Sequence, residues 1–91
     1  MTMKTLHLVL KAKWYDMIAR GEKKEEYREN TSYWMKRIGK LHDAVCFHKG
    51  YTNTTMTFAI EGKSYGYGNP EWGAPKDRKV LKIQLGKRLC L

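Results

Sequence analysis

The chain is short of cysteine, proline, acidic side chains and long apolar runs, and each shortage excludes something. Two cysteines, Cys46 and Cys90, lie far apart with no CxxC partner, so they form neither a disulfide scaffold nor a local metal cluster. Cys46 falls in an apolar, strand-like run and reads as a small buried hydrophobe. Cys90 is next to the C-terminus and reads as exposed, and a reduced, cytoplasmic compartment is the expectation. His7, His42 and His48 are scattered, without HxxxH or HExxH spacing, so neither a metal site nor a cofactor is expected. No apolar run approaches the roughly 18 residues of a membrane span. The N-terminus has no long apolar segment of the secretory type. Ser64 and Thr57 lack a GxSxG context, and Gly66-x-Gly68 lacks the helix and third glycine of a dinucleotide fingerprint.

What remains is a small basic protein of 91 residues, read as one domain over residues 1–91. Eighteen Lys and Arg oppose nine Asp and Glu, a formal charge of +9. Residues 1–45 carry ten basic and six acidic side chains, and residues 46–91 carry eight and three. The excess is therefore spread over the whole chain rather than held in a basic arm. Such a field attracts polyanions, nucleic acid first among them. Three Trp and six Tyr supply much of the apolar bulk of so small a domain.

Periodicity gives the elements. Thr5 to Leu10 reads as a strand, apolar enough to be covered on both faces. Lys13 to Arg20 reads as a helix with Trp14, Met17 and Ile18 on one stripe, and Gly21 suits a left-handed C-terminal cap. Lys24 to Arg28 fits a short strand, although Lys and Glu favour strands poorly and a helix continuing to Asn30 is the rival. Asn30, Thr31 and Ser32 offer N-caps for a helix from Ser32 to Ile38. Asp43 to His48, Thr54 to Gly62 and Val80 to Leu85 complete five strands. Ser64 to Pro75, rich in glycine and holding both prolines, reads as a structured loop. The order predicts an α+β domain built on a small, partly closed barrel.

The most informative stretch is Gly21-x-Lys23-x-x-Glu26-x-Arg28. Glu26 and Arg28 are two apart, so on a strand they share a face, and Lys23 sits in the turn feeding it. An ammonium, a carboxylate and a guanidinium can therefore converge. The plain alternative is an Arg28–Glu26 ion pair that closes the barrel, with Lys23 solvated.

These residues, following a short strand and a helix carrying Trp14-Tyr15-Asp16-Met17-Ile18, resemble the ASCH domain family, a branch of the PUA-like fold. The resemblance extends loosely over nearly the whole chain. It implies a small PUA-like β-barrel of about five strands flanked by two helices, with a cleft lined by the motif. It implies binding of RNA or of a modified nucleoside. It also implies a possible hydrolase, because one small bacterial member of the family is an N4-acetylcytidine amidohydrolase that uses a Lys, a Thr and a Glu with a nearby Arg. Lys23 and Arg28 match that Lys and Arg. Glu26 stands where that enzyme has Thr, and Glu71 is the best candidate for its later Glu.

Amide hydrolysis needs a base or nucleophile, an acid for the leaving amine, and donors for the developing oxyanion. Lys23 is the candidate base, provided that burial and the Arg28 charge lower its pKa. Glu26 or Glu71 would move protons or hold a water, Arg28 would bind a carbonyl oxygen or a carboxylate, and Tyr67 or Trp72 would stack on a flat base. Two functions compete on this reading: an amidohydrolase acting on N4-acylated cytidine, and a non-catalytic RNA-binding module.

Overall fold

A computed structural model describes residues 3–90. The elements run β1 (Thr5–Leu10), α1 (Ala12–Ala19), β2 (Glu25–Arg28), α2 (Ser32–Ile38), β3 (Ala44–Lys49), β4 (Thr55–Gly66), a 3-10 turn (Pro70–Trp72) and β5 (Val80–Leu89). The α+β class, the five strands and the two helices are those expected from the sequence.

The strands form one sheet in the order β1-β3-β4-β5-β2. β1 and β3 are parallel, and every other pairing is antiparallel. β1 and β2, successive along the chain, therefore occupy opposite edges, and α1 spans the distance between them. Two register shifts in β4, between Phe58 and Ile60 and between Ile60 and Gly62, bend the long β4–β5 ribbon. The sheet curls into a half-barrel whose edges approach without pairing. A side chain joins them: Arg28 on β2 donates from an Nη to the Val9 carbonyl on β1 at 3.2 Å.

The core fills the concave side. Leu6, Leu8 and Leu10 alternate inward from β1, Val45 and Phe47 from β3, Met56 and Phe58 from β4, and Ile83 from β5. Tyr15 and Ile18 of α1 and Ile38 of α2 close it. Each such side chain contributes about 1.5–3 kcal/mol by leaving water. Tyr15, not Trp14, is the deep aromatic of α1.

Three expectations need correction. β1 is covered on one face only, since His7 and Val9 are exposed between buried leucines. β4 runs four residues past Gly62, and Ser64, Tyr65 and Gly66 belong to it because they pair with Lys82, Leu81 and Val80. β5 likewise continues from Leu85 to Leu89, where Leu89 pairs with Thr57. Cross-strand pairing overrode the weak local propensity of those glycine- and lysine-containing ends.

Candidate functional site

α1 ends in a Schellman turn. The Gly21 N–H bonds to the Ile18 carbonyl and the Glu22 N–H to the Met17 carbonyl, both at 3.0 Å. Gly21 takes φ +82°, a conformation that glycine adopts without steric cost. The Lys23 N–H also bonds to the Met17 carbonyl, at 3.1 Å. The chain is thus turned sharply back under α1, and the Lys23 side chain enters the protein instead of solvent.

Lys23 is 2% exposed and Glu26 is 5% exposed, the two buried charged residues among those described. Lys23 Nζ lies 3.2 Å from Glu26 Oε1, and Arg28 donates to Glu26 Oε2 at 2.9 Å. One carboxylate therefore bridges two cations. Lys23 Nζ also donates to the Trp72 carbonyl at 2.7 Å and lies 4.6 Å from the centre of the Tyr27 ring. Burial pushes the Lys23 ammonium below the ordinary lysine range; Glu26 opposes that shift and Arg28 adds to it. The solvated Lys23 of the plain alternative is not what the fold produces.

Arg28 stacks over Trp34, 4.8 Å from the ring centre, while its Nε is buried with no partner among the described residues. Tyr27 donates its hydroxyl proton to Glu25 at 2.9 Å and accepts the Asn69 N–H at 3.0 Å. Its pKa is pushed up to about 12, first by burial and then by Glu25, against the lowering effect of the Asn69 N–H.

Three hollows follow this charge series. An open cleft of about 690 Å³ is bordered by Lys23, Lys24, Glu25, Trp72, Gln84 and Lys87, among others. A small cavity of about 70 Å³ shares Lys23 and Trp72 with it and adds Trp14, Glu26, Tyr27 and Gly73. A third hollow of about 220 Å³ shares Tyr27 and Gly73 with the second and reaches Arg28 and Trp34.

Lys23, Glu26, Arg28 and Trp72 of the sequence-derived candidates come together. Glu71 and Tyr67 are exposed and border none of these hollows. The Glu71 backbone is held by Asn69 Oδ1 at the start of the 3-10 turn. The Tyr67 ring sits 6.0 Å from Lys79 Nζ. Trp14, Tyr27 and Trp34 were not singled out as site residues, because an aromatic on a helix or strand reads as core until the loop that covers it is placed. No family model, curated protein or solved structure matches the chain.

Proposed function

We propose that the chain is an ASCH-type amidohydrolase acting on N4-acylated cytidine or a related modified nucleoside. The observation that carries this reading is the buried Lys23, bonded to Glu26 and to the Trp72 carbonyl at the floor of an open cleft. A cleft of about 690 Å³ is of the size that takes one nucleoside.

Neutral Lys23 has two N–H bonds, and Glu26 and the Trp72 carbonyl accept both. That leaves its lone pair to act as base. In the proposed reaction Lys23 takes a proton as water attacks the acyl carbonyl carbon. It returns that proton to the exocyclic nitrogen as the C–N bond breaks, releasing cytidine and a carboxylic acid. Glu26 stabilises the ammonium formed in between. Lys24 and Lys87 are the cations bordering the cleft that can face the oxyanion, and Trp72 is the platform for the base. Arg28, which borders the third hollow, holds Glu26 in place instead of contacting the substrate. The carboxylate role falls to Glu26 rather than Glu71, because Glu26 touches Lys23 and Glu71 is on the outer surface. Two unpaired thiols, one of them exposed, fit the cytoplasm as the setting. No helix is long and apolar enough to cross a membrane among the described residues.

The test is release of acetate and cytidine from N4-acetylcytidine by purified protein, with Lys23→Ala as control. Turnover by Lys23→Ala at the wild-type rate would remove Lys23 from the mechanism.

RNA binding without catalysis is the second reading. Lys24 and Lys87 beside Lys23 on the cleft favour it, as does the +9 charge. It requires RNA affinity that falls steeply with salt, alongside no turnover of any N4-acylcytidine.

A further inference from the structure

On the convex side of the sheet, remote in sequence from the Lys23 motif, three ligand-type side chains meet. His7 lies on β1, and Cys46 and His48 lie on β3. The parallel register sets His7 beside Cys46 and Val9 beside His48. Alternation places all three on the face opposite the inward Leu6, Leu8, Leu10, Val45 and Phe47, with Cys46 itself buried, His48 half-buried and His7 exposed. His7 Nδ1 and His48 Nε2 are 3.0 Å apart, and Cys46 Sγ is 3.8 Å from His48 Nε2. One ligand atom from each residue lies within 4.8 Å of the other two.

From this juxtaposition we infer that His7, Cys46 and His48 form a binding site for a zinc-class divalent transition ion. Two imidazole nitrogens and a thiolate suit such an ion. Tetrahedral bonds of about 2.0 Å to nitrogen and 2.3 Å to sulfur place ligand atoms roughly 3.3–3.6 Å apart. The spacings in the fold bracket that range, so small ring rotations complete the site. The rings are tilted at 48° with centroids 5.2 Å apart, so they converge at their edges rather than stacking. Two strands in fixed register supply all three ligands, so the site needs little ordering on binding. On loading, the thiol proton passes to solvent and both imidazoles bind as neutral ligands. The ion then retains one net positive charge. His7 is exposed, which leaves the fourth position open to water. Local spacing could not reveal this site, because 41 residues separate His7 from His48.

The experiment uses the full chain carrying Cys90→Ser, so that the exposed second thiol contributes nothing. Titration with Co²⁺ should give one equivalent of binding, thiolate-to-metal charge transfer in the near ultraviolet, and the visible bands of a four-coordinate ion. Zn²⁺ should displace it. Cys46→Ser should abolish the charge-transfer band. His7→Ala and His48→Ala should each weaken binding on the order of a hundredfold, the upper end of what losing even a supporting hydrogen bond costs. Because His7 is exposed, His7→Ala tests the site without disturbing the core. Absence of the charge-transfer band, or its persistence at full affinity in His7→Ala, would overturn the proposal and leave a hydrogen-bonded histidine pair.

Discussion

Lys23 and Glu26 are held 3.2 Å apart with side chains only 1% and 7% exposed, and Glu26 bridges onward to Arg28 at 2.9 Å. The three groups are therefore unequal in what their removal leaves behind. Glu26→Gln strands two cations without a counter-charge and should destabilise the fold by about 3–5 kcal/mol. Lys23→Met leaves Glu26 paired with Arg28 and should cost clearly less. Denaturant unfolding of both variants checks the order.

The Arg28–Val9 bond replaces a backbone ladder where the half-barrel is open. Arg28→Lys keeps the charge but loses the planar fork and the stacking on Trp34. It should cost about 1.5–3 kcal/mol, the worth of a charged hydrogen bond. Amide exchange should quicken in β2 and in the outer edge of β1 while β4 stays protected.

Tyr27 reports burial directly. Its folded-state pKa of about 12 stands above the ordinary 10.0, so the folded protein holds the phenolic proton more tightly than the unfolded chain. The associated stability is fully present below about pH 10 and is lost as pH rises through about 12. Phenolate absorbance should show a late-titrating tyrosine near pH 12 that Tyr27→Phe lacks.

If Lys23 is the base, its neutral form carries the reaction. Its pKa is lowered by burial, so turnover of N4-acetylcytidine should rise with pH through an inflection below the ordinary lysine value. Glu26→Gln removes the carboxylate that favours the ammonium and should move that inflection lower still. A pH–rate profile of each protein measures the shift.

The loop that supplies the Trp72 carbonyl depends on Gly68. A Cβ there would lie 2.6 Å from the Tyr27 ring and 2.7 Å from the Ala74 Cβ. Gly68→Ala should cost about 1–3 kcal/mol and impair the Lys23 site with it. Gly66→Ala meets nothing within 4 Å and should be tolerated. Thermal melts of the two variants separate crowding from backbone effects.

Local pattern carried a good deal of this. Ser32–Ile38 emerges as α2 with Thr31 as its cap, accepting the Trp34 N–H at 3.2 Å. β1 has the bounds its apolar run suggested, and the short charged strand ending at Arg28 formed despite its composition. The left-handed Gly21 was legible from its place after a helix, and it is what directs Lys23 inward.

The sequence by itself determined the class, the order of elements and the shared strand face of Glu26 and Arg28, because periodicity, caps and two-residue alternation act over a few residues; whether Lys23 joined them or stayed solvated it left open. Tertiary structure alone decided what surrounds these side chains. Trp14 and Tyr27 lie close to Lys23 along the chain, but the Trp72 carbonyl reaches its Nζ only because a loop some fifty residues onward folds back over it, and the same loop carries Glu71 and Tyr67 to the outside. It also decided the meeting of His7, Cys46 and His48, because sheet order and register are set by the burial of a shared core, and no local signal encodes them.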